Sequence, residues 1–454
     1  MPRTTLRACS ALSLSLALAL PGGAQQRVSD YRDVADRIID AATADHRAYE
    51  RLGELVDGFG HRLSGSVALE QAIDWILERM EADGLQNVRG EPVMVPHWVR
   101  GSESLALVRP RPRELPMLGL GGSVGTPPGG IRAEVLVVGS FDELTARAAE
   151  ARGRIVLFDA PFTSYGETVR YRSQGAIAAA RAGAVASLIR SVASGSMQSP
   201  HTGGMSYEEG VPRIPHAAIS VEDAMMLHRM QERGERIEVR LVMEAQTLPD
   251  APSRNVIGEI VGRERPDEVV VLGGHIDSWD VGQGAMDDGG GVVAAWEAVR
   301  ILNELGLRPR RTIRVVGWTN EENGLRGGRQ YAADHADETH VLAIESDAGV
   351  FRPSGFGFTG SDRAYEIVRE IGGFLEGIGA GTITRGGGGA DIGPLMERGV
   401  PGMGLDVDGT RYFWYHHSDA DTLDKLDPDE VAWCVAAMAV MAYVVADLPE
   451  GLPR

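Results

Sequence analysis

The chain has 454 residues, of which 43% are hydrophobic, 24% charged and 6% aromatic, the balance of a globular protein with room for two domains or one large domain carrying an insertion. Lys+Arg number 45 against 64 Asp+Glu, a formal net charge of -19, and a field of that sign repels phosphate backbones and anionic lipid headgroups. No nucleic-acid partner is expected.

The opening stretch, MPRTTLRACSALSLSLALALPGGAQQ, sets Arg3 and Arg7 ahead of an apolar run from Ala11 to Leu20, with small residues before Ala24. That is the pattern of a secretory signal peptide over residues 1–24, and it predicts an exported product, periplasmic or secreted. Cys434 is then the only thiol of the mature chain, so no disulfide within one subunit is expected. The chain also has no N-x-[ST] glycosylation acceptor.

Residues 25–110 read as the first part of an α/β domain. Ala68, Ile73 and Ile76 in SVALEQAIDWILERM carry helical spacing, and the segment from Val88 to Val108 reads as strand, turn and strand. From 111 to 247 short apolar strands such as AEVLVVGS and GRIVLFDAPF alternate with Ala-rich helices such as GAIAAARAGA, which marks an inserted α/β domain. From 248 to 454 the alternation becomes regular: NVIGEIVG, DEVVVLGG, a helix from Gly290 to Leu305, RTIRVVGWT, HVLAIESD, GVPGMGLDVDG and a terminal helix. This rhythm predicts an α/β fold, a mostly parallel mixed sheet with helices on both faces. The uncharged run from Val431 to Ala446 is shorter than the roughly 20 residues that span a bilayer and follows the helix-start signal DPDE, so a buried helix is expected and no integral membrane segment.

The chemistry concentrates in GGHIDSWDVGQGAMDDGGG, residues 273–291, a loop leaving the strand DEVVVLGG. In open α/β sheets ligands bind at the carboxyl ends of strands. Other strand ends supply Glu321 and Glu322 in TNEENG, Asp347 in ESDAG, and His416, His417 and Asp419 in HHSDADT. If these strands are neighbours, the carboxylates repel one another until cations compensate them. Imidazole and carboxylate ligands without thiolates suit zinc, with manganese or cobalt as substitutes, and a binuclear site needs one shared carboxylate. The glycines around Asp287 let the backbone approach such ions closely.

These segments, in this order and with SQGAIAAARAGAVASLIRSVAS and SPHTGG in the insert, resemble the co-catalytic zinc aminopeptidase and carboxypeptidase family over nearly the whole mature chain. The resemblance implies a fold of the zinc exopeptidase type with a protease-associated-like insert, two zinc ions per subunit and a homodimer. It makes His275 and Asp347 ligands of one zinc, Glu322 and His417 ligands of the other, Asp287 the bridge, and Glu321 the general acid/base. His416 adjoins His417, and the family pattern favours the histidine directly before Ser418. Asp277 is expected to orient His275 through its carboxylate, and the peptide between Asp287 and Asp288 to be cis.

Substrate contacts are expected from Asp391 and from His201, the latter reaching in from the insert or from a partner subunit. Many relatives carry an oxyanion-stabilising tyrosine where this chain has Gly387; the zinc ions alone, or else Tyr412 or Tyr415, are the candidates for that role. The implied activity is hydrolysis of dipeptides with free termini. The alternatives are an aminopeptidase acting on longer peptides and a receptor-like binding protein that has lost catalysis.

Overall fold

A computed structural model describes residues 27–454 of the chain; the expected signal peptide lies outside the described residues. The larger sheet has eight strands in the order Gln86–Val99, Gln246–Ile260, Arg311–Trp318, Arg265–His275, Thr339–Glu345, Gly402–Val407, Pro353–Thr359 and Thr382–Arg385. The four from Arg311–Trp318 to Gly402–Val407 run parallel, and antiparallel partners flank them on both sides. Buried parallel strands need apolar residues on both faces, and Val269–Leu272 and Ile313–Val316 supply them almost without interruption.

Helices close both faces. Gly290–Glu304 follows directly on the glycine-rich loop and packs against Pro428–Asp447, the apolar run of the sequence, whose residues are buried from nearly every side by Arg32–Thr43, Arg47–Phe59 and Asp362–Gly372. Asp427 caps its start by accepting from the backbone N–H of Asp429 and Glu430. Cys434 is buried within it, its thiol donating to the Phe351 carbonyl at 3.2 Å.

The second sheet is also eight-stranded: Arg113–Leu115, Glu103–Arg109, Glu238–Met243, Ile131–Val138, Ile155–Phe158, Ala186–Arg190, His216–Ile219 and Met117–Gly119. It takes in Glu103–Arg109, ahead of residue 111, because the period-2 pattern of that strand continues the one before it and says nothing about which sheet receives it. Conversely Gln246–Ile260 begins well before NVIGEIVG. Its polar, proline-containing first half reads as loop in sequence, and pairing with Gln86–Val99 makes it strand. The helix Tyr165–Arg181 lies against this second sheet.

Arg314 anchors a buried network on the flank of the large sheet. It reaches Glu259 at 2.6 Å, Glu338 at 2.6 Å and the Tyr331 hydroxyl at 2.9 Å. His335 pairs with Glu91 at 2.9 Å and Glu338 at 3.0 Å. Burial alone would depress the His335 imidazole, but its two carboxylate partners outweigh burial and raise it to about 9. Glu338 is opposed by burial in the same way, and His335 and Arg314 bring it down to about 2.

Candidate metal centre

The four parallel strands end at one edge, and their following loops meet there. His275 closes its strand with Nδ1 donating to the Asp277 carbonyl at 2.8 Å, which leaves Nε2 as the lone pair facing inward. That nitrogen has no hydrogen-bond partner of good geometry, yet Asp287 Oδ1 lies 3.2 Å away and Asp347 Oδ1 3.4 Å away. The other Asp287 oxygen, also without a hydrogen bond, is 3.2 Å from His417 Nε2, which is 3.1 Å from Glu322 Oε2. Asp287 thus stands between two imidazoles, each with one further carboxylate. A buried, orphaned nitrogen and oxygen aimed at a common centre fit divalent cations of the zinc type.

The electrostatics agree with that fit. Burial, together with the charge of Asp287, pushes Glu322 up to about 7. Burial and the neighbouring carboxylates also push Asp347 and Glu321 upward. His417 is opposed by burial, but Glu322 and Asp287 raise it to about 9. Protons hold together a cluster that cations would hold better.

Two other groups come close. His416 stacks on His417 with ring centroids 3.5 Å apart, and its Nε2 is 3.5 Å from Asp287, so Asp287, His416 and His417 form one compact set and His275, Asp288 and Asp347 another. Asp288 is spoken for: its oxygens accept from the backbone N–H of His275 at 3.0 Å and of Gly291 at 3.1 Å. His417, between two carboxylates, is better placed than His416, which faces one. The Asp287–Asp288 peptide is cis. A side chain at Gly291 would come within 2.0 Å of the Ser346 carbonyl, so close backbone packing behind Asp288 demands glycine.

Asp277 differs from the sequence expectation. Its backbone carbonyl, rather than its carboxylate, fixes the His275 tautomer; the carboxylate is 3.8 Å from Nδ1. It accepts instead from the backbone N–H of Glu321 at 3.1 Å, of Glu322 at 3.4 Å and from the Ser64 hydroxyl at 3.3 Å. It positions the glutamate loop.

A cavity of about 480 Å³ opens over the centre, lined by Asp287, Glu321, Glu322, Asp347, His416 and His417, and on its outer side by Tyr165, Arg172, Asp406, Tyr412 and Phe413. Of the two tyrosines left open by the sequence, Tyr412 is on this wall; Tyr415 turns away to Lys425, 5.7 Å over its ring. Gly387 is exposed and does not line the cavity. At its φ of 131° a Cβ would meet the Gly357 backbone at 2.4 Å, so no tyrosine fits there. His201 does not reach the cavity either; it is buried, with Nδ1 donating to the His416 carbonyl at 2.6 Å. Asp391 is buried beneath the site, where burial and Glu345 push its carboxyl upward. Asp419 is exposed and apart from the cluster.

Three residues with structural weight escaped the sequence reading. Asp421 accepts from three consecutive backbone N–H groups, Ala285 at 3.0 Å, Met286 at 2.7 Å and Asp287 at 3.2 Å. Fully buried Arg62 straps the same loop through the carbonyls of Ile276, Gln283 and Gly284 at 2.8 to 2.9 Å. Nothing local marks either, since their partners are more than 130 residues away in sequence. Arg172 did carry a signal: with Gly175, Ala176 and Ala179 it occupies one buried helical face, where a charge is out of place.

Buried imidazoles and carboxylates at adjoining strand ends of a mixed α/β sheet, with a helix of the second sheet's layer on the cavity wall, define a metal-dependent exopeptidase. The comparisons name the family. Residues 255–442 match Peptidase family M28, and the chain is 50% identical to carboxypeptidase Q of Mus musculus over 435 residues, 95% of this chain and 93% of the relative. The solved structure of a peptidase M28 precursor from Shewanella amazonensis SB2B superposes with a TM-score of 0.90 at 36% identity, covering 94% of this chain and 99% of that one. A zinc aminopeptidase from Bacillus subtilis shares the fold, with a TM-score of 0.66 at 21% identity over 89% of this chain and 98% of that one. The chain belongs to peptidase family M28.

Proposed function

We propose that this protein is an exported, dinuclear zinc exopeptidase that hydrolyses small peptides, most readily dipeptides with free termini. The observation that carries the reading is the position of Asp287, 3.2 Å from both His275 and His417, with Asp347 beside the first imidazole and Glu322 beside the second. In this reading His275 and Asp347 would hold one ion, Glu322 and His417 would hold the other, and Asp287 would serve both. When bound, the ions supply Lewis acidity to the scissile carbonyl and make water a nucleophile near neutral pH.

The remaining work falls to this chain's own groups. Glu321, on the cavity wall and outside the ligand set, accepts the proton of the attacking water and returns it to the leaving amine. Tyr412 offers a hydroxyl toward the developing oxyanion. The insert closes the outer side with Tyr165 and Arg172, and a cavity of about 480 Å³ suits a dipeptide better than an extended chain. The similarity to carboxypeptidase Q supports action beside a free C-terminus.

The test is metal content per subunit, with rates on free, N-blocked and C-amidated dipeptides and on longer peptides. Two zinc ions and a clear preference for free dipeptides are expected. One ion per subunit removes the dinuclear centre, and equal rates on long peptides favour the aminopeptidase alternative. A homodimer is part of the same proposal, checked by sedimentation equilibrium.

A further inference from the structure

Arg172 projects from the insert helix Tyr165–Arg181 into the wall of the catalytic cavity. It is only 7% exposed, and among the described residues it is the only lysine or arginine lining that cavity. A guanidinium so buried ordinarily has a carboxylate partner, because an unpaired buried charge is costly. Among the described residues none pairs with it. Its Nη2 donates to the Tyr165 hydroxyl at 2.8 Å, its Nη1 to the Thr202 carbonyl at 3.4 Å, and its Nε has no partner. The Tyr165 ring centroid is 5.5 Å from the guanidinium carbon, and Gly203 leaves it room: a Cβ there would fall 2.2 Å from Nη1.

The remaining neighbour is His417, whose Nδ1 is 3.2 Å from Nη1. A neutral imidazole that holds a cation through Nε2 carries its hydrogen on Nδ1 and has no acceptor left. As a metal ligand, then, His417 gives Arg172 nothing to bond. The five cavity carboxylates Asp287, Glu321, Glu322, Asp347 and Asp406 would repel an anionic substrate, and Arg172 is the side chain able to offset that for one end of it.

We propose that Arg172 is the anchor for the free α-carboxylate of the substrate, so that the insert supplies the specificity for an unblocked C-terminus. This rests on the small-peptide exopeptidase reading above. A guanidinium fork matches a carboxylate in two parallel hydrogen bonds, which an ammonium cannot do.

The experiment compares zinc-loaded wild type, Arg172→Met and Arg172→Lys on free and C-amidated forms of the same dipeptide. Calorimetric titration with L-leucine and with L-leucinamide, and zinc counting, accompany the rates. For Arg172→Met the kcat/KM on the free dipeptide should fall about thirtyfold further than on the amide, chiefly through KM, as expected for a lost charged hydrogen-bonded partner. Wild type should bind L-leucine more tightly than L-leucinamide, the variant should lose that difference, and Arg172→Lys should restore part of it.

Parallel losses on both substrates, or loss of zinc in Arg172→Met, would make Arg172 a support for His417 and overturn the anchor. So would a wild type that discriminates neither dipeptide nor amino acid from its amide. Failure of the exopeptidase reading shows separately, in the metal count and long-peptide rates of the wild type, while the L-leucine titration still reports on the carboxylate site.

Discussion

The two sheets bring opposite resources to one cavity. The larger, from the loops after its parallel strands, contributes every imidazole and carboxylate of the proposed ligand set, with His275, Glu322 and Asp287 each held by a hydrogen bond involving a backbone group. The layer of the second sheet contributes, among the described residues, no carboxylate or imidazole to the cavity wall. It adds Tyr165 and the buried cation Arg172. The lesson is a division of labour between two layers in contact: the imidazole and carboxylate cluster sits where adjacent strands converge, and the cation on its wall comes from the other layer, which is hydrogen-bonded to the turn carrying His417.

The sharpest way to break this division is Glu321→Gln. It should leave metal content unchanged and cost about 10² to 10⁴ in kcat, the usual weight of a general acid/base; an active variant would move the base elsewhere, Asp406 being the other carboxylate on the wall outside the proposed ligand set. Next is Asp421→Asn, which leaves all ligands in place and weakens the three N–H contacts that shape the Asp287 loop. Zinc affinity should fall about 10- to 100-fold, the range for supporting groups around metal ligands, as read by competition with a chromogenic chelator. An unchanged affinity would show that Arg62 alone holds the loop.

The smallest effect concerns stability on the flank of the large sheet. His335, raised from 6.5 to about 9, contributes fully below pH 6.5 and loses that contribution as pH climbs through 9. Glu338, lowered from 4.5 to about 2, contributes above pH 4.5 and loses it as pH falls through 2. This pair therefore stabilises most between about pH 4.5 and 6.5. His335→Gln should lower Tm by about 1–2 °C at pH 6 and by progressively less toward pH 9, measured by differential scanning calorimetry. A constant gap across that interval would mean the histidine packs rather than pairs.

Much of the clustering at the candidate site was legible because each contributing segment is local: an apolar strand, then a short loop with an imidazole or carboxylate, as in GGHIDS and ESDAG. Strand ends can be read from such punctuation, and parallel order brings them together. The α/β alternation and the buried terminal helix were legible for the same reason. Residues whose meaning depends on a distant partner were not. Asp421 and Arg62 act on backbone groups across long sequence separations, and Tyr412 and Tyr415 look alike until the turn between them is folded. His201, expected at the substrate, proved to brace the backbone of His416, because a loop histidine carries no sign of the direction it faces.

That bracing has a mechanical corollary. Thr202 donates its N–H to the His417 carbonyl at 2.9 Å, Ser194 to the Phe413 carbonyl at 3.3 Å, and His201 to the His416 carbonyl. The layer of the second sheet is thus stitched to the very turn that presents the proposed ligand His417. A hinge along this seam would drag His417 out of position with every opening, so the two layers are expected to move as one body at this turn.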